Sequence, residues 1–186
     1  THARRMAQLI EAEGQRVWVA SHPSGGTLGR LAKRALQGSG HVPRALATVF
    51  YTMDVLRSVS RYNRASEGTF IFVRYLLGTA YLPRRLAPAG YRLFRNLLPF
   101  PDLAVFIDIE PSVALRRIEA RDHRHEMFET LEKLESVRSV AKRLTSDEWT
   151  VVDNSEDGEA PFDRLADVLV ARGYLRGAGG VSPGPP

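Results

Sequence analysis

The chain has 186 residues, of which 44% are hydrophobic and 25% charged, a composition typical of one globular domain with a substantial core. It contains no cysteine, which excludes disulfides and thiolate metal sites and suits a reducing cytoplasm; no secretory signal or membrane-length apolar run is visible. The net charge of +5 favours an anionic partner, but the arginines are scattered and no zinc-finger or RNA-binding signature accompanies them, so a nucleic acid is not expected.

The first part of the chain predicts a helix, a short strand and two more helices. Apolar residues at helical spacing end at Gly14, a residue suited to the left-handed position after a helix. Residues 16–20 form a predicted buried strand, and a Gly/Ser/Pro-rich loop then leads into a basic helix. A long helix is predicted over about 43–62. Its expected core face consists of Leu46, Val49, Phe50, Met53, Leu56 and Val59.

The second part continues the alternation of strands and helices. Strands are predicted at residues 70–73, 103–107 and 149–152, with helical sequence after each of them. This order predicts an α/β domain over residues 1–175, built as a doubly wound parallel sheet with helices on both faces. The Gly/Pro-rich segment 176–186 is predicted to be a disordered tail.

The stretch from Phe70 to Pro83 gives the clearest pointer to function. Four apolar residues form the predicted strand, and Arg74 stands at its carboxyl end. Ligands of open α/β sheets bind outside the carboxyl ends of the strands, so Arg74 is predicted to face a substrate. The alternative is a solvated arginine that merely ends a strand.

Several motifs resemble those of thymidylate kinases, a family of P-loop nucleoside monophosphate kinases. Phe70–Tyr75 resembles the family's strand-Asp-Arg-aromatic signature, with Val73 in place of the aspartate. The loop VWVASHPSGGT resembles a strand followed by Arg-Glu-Pro-Gly-Gly-Thr, and PSVALRRI matches the family's Pro-x-x-Ala-Leu-x-Arg-Ile helix. The resemblance extends to about Gly173 and implies a P-loop kinase fold.

The opening residues Thr1–Arg4 resemble the Thr-Gln-Ala-Arg that follows the family's Gly-x-x-x-x-Gly-Lys-Ser/Thr loop. The resemblance therefore implies that the first strand, the phosphate loop and its lysine lie upstream of Thr1. That strand belongs inside the parallel sheet, so its absence would leave backbone hydrogen bonds unmade. The chain as given is expected to be marginally stable and inactive.

The resemblance implies ATP-dependent phosphorylation of a nucleoside monophosphate, most simply dTMP to dTDP, with magnesium brought in through ATP. It also implies a homodimer. RDHRHEMFE resembles the family's arginine-bearing lid, and VVDNSED its last strand and adenine loop. The implied roles are phosphoryl transfer by Arg74, Arg121 and Arg124, substrate binding by His22, Phe50, Asp54, Arg57 and Tyr75, and ATP binding by Arg121 and Asn154.

The residues on the predicted long helix do not determine the identity of the phosphate acceptor. Phe50, Asp54 and Arg57 share a helix face, with Phe50 at the base-stacking place. Asp54 falls where the family has a base-reading arginine, yet thymine's carbonyl requires a donor and a carboxylate only accepts. The alternatives are a kinase for another nucleotide or phosphate acceptor, and a non-catalytic nucleotide- or nucleic-acid-binding relative. Asp108 is expected to cap a helix rather than to lie near magnesium, and His22 has a surface position as its simpler interpretation.

Overall fold

The alternating order of helices and strands predicted from the sequence is confirmed. The structure, a computed structural model, describes residues 1–36, 41–64, 67–120, 130–145 and 148–176. The helices are α1 (His2–Ala12), α2 (Thr27–Leu36), α3 (His41–Tyr62), α4 (Ala87–Leu97), α5 (Pro111–Glu119), α6 (Leu131–Leu144) and α7 (Ala160–Ala171). The strands are β1 (Val17–Ser21), β2 (Thr69–Val73), β3 (Ala104–Asp108) and β4 (Trp149–Asp153), and a 3-10 helix spans Leu76–Tyr81.

The described strands form two parallel pairs. β1 pairs with β2, placing Val17 opposite Thr69, and β3 pairs with β4, placing Ala104 opposite Trp149. β2 and β3 are not hydrogen-bonded to each other, so the parallel arrangement is as expected but the sheet is not continuous across the described residues. Each of these two strands consequently has one edge without a partner strand in the part of the chain that the structure describes.

One face of both sheets is covered by α1 together with α7. α1 contacts β1 and β2, and its Ile10 is only 1% exposed. Met6 of the same helix packs against the cluster around Val152 in β4. The helix ends before Gly14, whose φ of +83° is the left-handed conformation expected from the sequence. α1 thus holds the two strand pairs side by side.

The opposite face is covered by α3, α4 and α6. Aromatic side chains dominate the contact near β2 and β4, where Tyr75 and Phe72 pack with Val55 and Val59 of α3. Trp149 joins the same cluster, and its Nε1 donates a hydrogen bond to the Tyr91 hydroxyl at 2.8 Å. Both strand pairs are therefore covered on two faces, as the doubly wound interpretation requires.

The expected core face of α3 is largely wrong. Four of its apolar residues are about half-exposed, with fractions of 46, 52, 47 and 46% for Leu46, Val49, Met53 and Leu56. Residues on the neighbouring stripe point inward instead, among them Val55, which is fully buried. Helical periodicity identifies an apolar stripe, but it does not say what covers that stripe.

Arg176, the last described residue, contacts the end of α1. The backbone N–H of Arg176 donates to Glu13 Oε1 at 2.9 Å, so this residue is fixed to α1's end. The rest of the predicted tail, from 177 onward, lies outside the described residues. Within the described ranges, no helix combines the length and the hydropathy that crossing a membrane would require.

Candidate functional site

The candidate site lies at the carboxyl ends of β1 and β2. The backbone N–H of His22 donates to the carbonyl oxygen of Val73 at 3.1 Å, which extends the pairing of these strands by one step. The loop that runs from His22 to Gly26, hereafter the β1–α2 loop, is thereby placed beside Arg74. This is the edge of a parallel sheet at which ligands bind.

Arg74 has a backbone conformation that marks it as unusual. Its φ is +59°, in the left-handed region that residues with a Cβ adopt at a cost of about 1–2 kcal/mol. The Tyr51 hydroxyl donates a hydrogen bond to its carbonyl oxygen. The side chain is exposed, and within the described residues its guanidinium has neither a hydrogen-bond nor an ion-pair partner. Such strain at a strand end is typical of functional positions.

Asp54 fastens the β1–α2 loop to α3. Its carboxylate is buried and accepts three hydrogen bonds: from the Ser24 backbone N–H at 2.7 Å, from Ser24 Oγ at 2.6 Å and from His22 Nδ1 at 3.0 Å. Burial opposes ionisation, but the hydrogen bonds from Ser24 and His22 prevail and hold the pKa of Asp54 below its usual value. The carboxylate inside an apolar helix face is therefore explained by the loop that it binds.

His22 is a buried residue, and the surface interpretation of it is wrong. Its side chain has no exposed area and lies between the rings of Phe72 and Tyr51, at centroid distances of 6.5 and 6.2 Å. Nδ1 contacts Asp54, whereas Nε2 has no hydrogen-bond partner among the described residues. The His22 ring consequently helps to pack the β1–α2 loop against β2 and α3.

Arg57 and Phe50 flank Asp54 on α3, as the helical spacing predicts. A Cβ added at Gly26 would lie 3.3 Å from Ser24 Oγ and 3.9 Å from Arg57 Nη1, so the Arg57 guanidinium lies against the tip of the loop. Arg57 is exposed and lacks a charged partner in the described ranges, while Phe50 is half-buried one turn earlier. Arg57 and Arg74 therefore place positive charge near the same loop.

Tyr75 lies in the core and not on the surface of the site. It is 7% exposed, its ring stacks on Phe72 at 4.8 Å, and its hydroxyl donates to the Pro99 carbonyl oxygen at 3.2 Å. Burial, with a smaller contribution from Tyr62, raises its pKa to about 12. The contact with a sugar that was expected of this side chain stays a prediction, and the structure shows the ring packed in the core.

Asn154 stands at the equivalent edge of the β3–β4 pair. Its backbone N–H donates to the Asp108 carbonyl oxygen at 2.7 Å, and its Oδ1 lies 3.0 Å from His2 Nε2 at the start of α1. Arg117 Nη1 donates to the Asn154 carbonyl oxygen at 2.8 Å and so fixes the loop after β4. The structure thus brings Asn154 to the beginning of α1, separate from the residues around Arg74.

The helix-capping role expected for Asp108 is wrong. The N-cap of α5 is Glu110, and Asp108 instead accepts two hydrogen bonds from Arg138, at 2.7 and 2.9 Å, with Lys142 Nζ at 2.8 Å. Arg138 holds the pKa of Asp108 below its usual value, against the effect of burial and with further help from Lys142. The sequence feature that could have indicated this contact is the spacing of Arg138 and Lys142, two cations one turn apart on α6.

The described residues do not fit a magnesium ion held by the protein. No group of three or more potential ligands occurs among them, Val73 lacks a carboxylate, and Asp108 is already occupied by two cations. Arg121 and Arg124, the two predicted lid residues, lie outside the described residues.

Comparison with known proteins identifies the family. A model of the family described as thymidylate kinase matches residues 1–162. A probable thymidylate kinase from Pyrobaculum calidifontis is 34% identical over 172 residues, covering 87% of this chain and 86% of its own length. A thymidylate kinase from Xanthomonas euvesicatoria is 27% identical, with coverages of 92 and 77%.

A solved structure supports the fold independently of sequence. The thymidylate kinase from Candida albicans superimposes with a TM-score of 0.70 at 16% identity, covering 92% of this chain and 87% of that one. At that identity the likeness concerns the fold alone. Because the family model matches most of the chain and a relative shares a third of its residues, the chain belongs to the thymidylate kinase family of phosphotransferases.

Proposed function

We propose that the protein transfers the γ-phosphoryl group of ATP to a nucleoside monophosphate, with dTMP as the first candidate. The observation that supports this most is Arg74: its guanidinium is exposed and has no hydrogen-bond or ion-pair partner among the described residues, and the residue has a strained left-handed backbone at the carboxyl end of β2. Together with family membership, that position suits an arginine that binds the acceptor phosphate.

The proposed mechanism is electrostatic. In phosphoryl transfer the negative charge spreads over the equatorial oxygens of the transferring group while an acceptor oxygen attacks and ADP leaves. Arg74 would bind the acceptor phosphate and stabilise that charge, with Arg57 nearby and with Arg121 and Arg124 closing from the lid. Fixed guanidinium donors are effective because they need no reorganisation during the reaction.

The remaining assignments concern the two nucleotides. Phe50 would stack on the acceptor base, while Tyr75 and His22 would contribute through the packing beneath the acceptor site. Asn154 would line the adenine of ATP, which arrives with its own Mg²⁺. A cytoplasmic location belongs to the same proposal, since the reaction consumes ATP and nucleotides.

We further propose that an additional parallel strand pairs between β2 and β3 and leads into a phosphate loop. Each of the four described strands has one unmatched edge, those of β2 and β3 included, and α1 lies across both strand pairs, which supports this proposal. The 186 residues contain no Gly-x-x-x-x-Gly-Lys-Ser/Thr motif. A strand in that place would satisfy both edges and carry its loop to the start of α1, a position suited to phosphate.

A second candidate is a kinase for another monophosphate. It is favoured by the lack of a hydrogen-bond donor at position 54, because the Asp54 carboxylate is engaged by the β1–α2 loop and supplies no donor for a thymine carbonyl. Arg57 would then be the cation nearest to the base, one turn farther along α3. Selectivity among bases is therefore the measurement that separates the two candidates.

We also propose a homodimer through the α3 stripe, defined as Leu46, Val49, Met53 and Leu56. These side chains recur on one helix face, and each is about half-exposed. A second copy could cover them by packing its own α3 stripe against them, which gives a closed two-fold interface.

The test uses two lengths of the protein, the 186-residue chain and a form extended at its amino terminus by an apolar strand and a Gly-x-x-x-x-Gly-Lys-Ser/Thr loop. ATP-dependent phosphorylation is measured with dTMP, dUMP, dCMP, dAMP and dGMP. The longer form should phosphorylate dTMP, and Arg74→Met should reduce its turnover on the order of a hundredfold with unchanged folding. Full activity of Arg74→Met would refute the role of Arg74, and robust activity of the short form would refute the proposed strand and loop.

A further inference from the structure

We propose that Tyr51 is a positioning residue for Arg74, because its hydroxyl holds the left-handed turn from which the guanidinium extends. The inference rests on the proposed function, in which Arg74 binds the acceptor phosphate. It concerns a residue of α3 that would touch neither nucleotide.

The contacts of Tyr51 support this role. Its hydroxyl donates to the carbonyl oxygen of Arg74 and lies 3.3 Å from that of Tyr75, so it bridges the two residues that follow β2. Burial raises the pKa of this phenol well above its ordinary value, with a smaller opposing effect from Arg74. The hydroxyl therefore remains protonated, and available as a donor, throughout the physiological pH range.

The residues around the Tyr51 ring leave space for its hydroxyl. A Cβ at Gly78, in the 3-10 helix after Arg74, would lie far inside van der Waals contact with the Tyr51 hydroxyl. The edge of the ring also packs against the His22 ring at 6.2 Å. Tyr51 is thus enclosed between the β1–α2 loop on one side and the 3-10 helix on the other.

Tyr51 and Asp54 are three residues apart and share a face of α3. Asp54 holds the β1–α2 loop, and Tyr51 holds the turn at Arg74. One helix therefore fixes both walls of the candidate site. A left-handed non-glycine residue persists only when its neighbours hold it. Among the described residues, the Tyr51 hydroxyl is the side-chain donor that reaches this carbonyl.

Removing the hydroxyl should release the turn without emptying the core. Tyr51→Phe keeps the ring and its packing but leaves the Arg74 carbonyl without this donor. We expect dTMP binding to weaken by about threefold to tenfold, the ordinary range for one hydrogen bond. The peptide bond after Arg74 should also become more accessible, because its carbonyl is no longer fixed.

The experiment is a double-mutant cycle in the form of the protein that binds dTMP. The dTMP dissociation constant is measured by calorimetry for the wild type, Tyr51→Phe, Arg74→Met and the double variant. If Tyr51 acts through Arg74, Tyr51→Phe weakens binding in the wild type and changes nothing further in Arg74→Met. An equal loss in both backgrounds, or no loss in either, would overturn the inference.

A second readout is independent of ligand. Trypsin cleavage at the Arg74–Tyr75 bond, followed by mass spectrometry, should accelerate in Tyr51→Phe. The control is Tyr62→Phe, on the same helix, whose ring packs against Phe70 and whose hydroxyl has no hydrogen bond within the described residues. Unchanged cleavage in Tyr51→Phe would overturn the inference, whereas faster cleavage in a protein that binds no dTMP would leave the turn supported and refute the proposed function alone.

Discussion

Asp54 shows how a single buried residue can fix a loop of the candidate site. Its carboxylate is the acceptor for a backbone N–H, a hydroxyl and an imidazole, all contributed by the β1–α2 loop. Sequence spacing placed Asp54 correctly beside Phe50 and Arg57 on α3. The spacing could not reveal that its partners lie about thirty residues earlier, because that contact depends on the pairing of β1 with β2.

Asp54→Ala should therefore destabilise the protein. The substitution leaves the Ser24 N–H, the Ser24 hydroxyl and His22 Nδ1 without their buried acceptor, at an expected cost of about 3 kcal/mol. The free energy of unfolding, measured with urea, checks this. Asp167→Ala in α7 is the matched control, since Asp167 is exposed and should be neutral. Equal stability of the two variants would contradict the anchoring role.

The same contacts change what Asp54→Arg is expected to do. From sequence alone, an arginine at this position would restore a donor for the thymine edge and favour dTMP. In the structure it would instead place a guanidinium against the Ser24 N–H and His22, where only an acceptor fits. We therefore expect Asp54→Arg to detach the β1–α2 loop from α3, and this effect should precede any change in base preference.

At the scale of elements, α2 meets the β1–α2 loop at a position that permits no side chain. A Cβ at Gly29 would lie far inside van der Waals contact with the backbone of Ser24, and Gly29 is buried. Gly29→Ala should thus displace the loop from Asp54 and weaken dTMP binding about tenfold or more, even though alanine favours helix.

Gly25 supplies the control for this prediction. It lies in the same loop, but a Cβ there would meet nothing within 4 Å, and its φ is not positive. Gly25→Ala should leave both the dTMP dissociation constant and the melting temperature close to those of the wild type. If Gly29→Ala behaves in the same way, the loop does not depend on close contact with α2.

The α3 stripe predicts an assembly that can be broken by charge. Met53→Glu puts a carboxylate in the middle of the stripe, and its mirror copy would bring two like charges together across a two-fold interface. Sedimentation equilibrium should change from dimer to monomer. Leu97→Glu on α4 is the matched control, because Leu97 is also an exposed leucine, at 69%. A dimer that persists in Met53→Glu would contradict this interface.

Periodicity predicted the elements themselves well, because each strand and helix carries its own apolar pattern. It misassigned the outward face of α3, and it missed the packing of His22, Tyr51 and Arg138, whose partners come from other elements. The strand-end position of Arg74 was predictable because it follows local pattern alone. Its left-handed conformation was not, since a donor from α3 holds it.

At the scale of the whole molecule, acid sensitivity should concentrate in two buried carboxylates. Arg138 holds the pKa of Asp108 below its usual value, and hydrogen bonds do the same for Asp54 despite its burial. A carboxylate whose pKa is lower in the folded protein contributes its full stabilisation above the unfolded pKa of about 4 and loses it as the pH falls through the folded value.

Asp108→Asn should consequently flatten the pH dependence of unfolding below about pH 4, while lowering stability at neutral pH. Urea unfolding at a series of pH values from 7 to 2 measures both effects. Asp167→Asn should retain the slope of the wild type. If the unfolding free energy of Asp108→Asn falls with pH as steeply as that of the wild type, the pairing of Asp108 with Arg138 does not contribute to stability loss in acid.

The division into two strand pairs has a consequence for how the chain folds. β1 and β2 both fall within residues 17–73, and β3 and β4 within 104–153, so each pair can form from its own stretch of polypeptide. α1 is different, since Met6 must reach the cluster around Val152 from the opposite end of the sequence. Because α1 also contacts β1 and β2, it can join the first pair early, whereas its contact with the second pair closes a loop of most of the described chain and should form late.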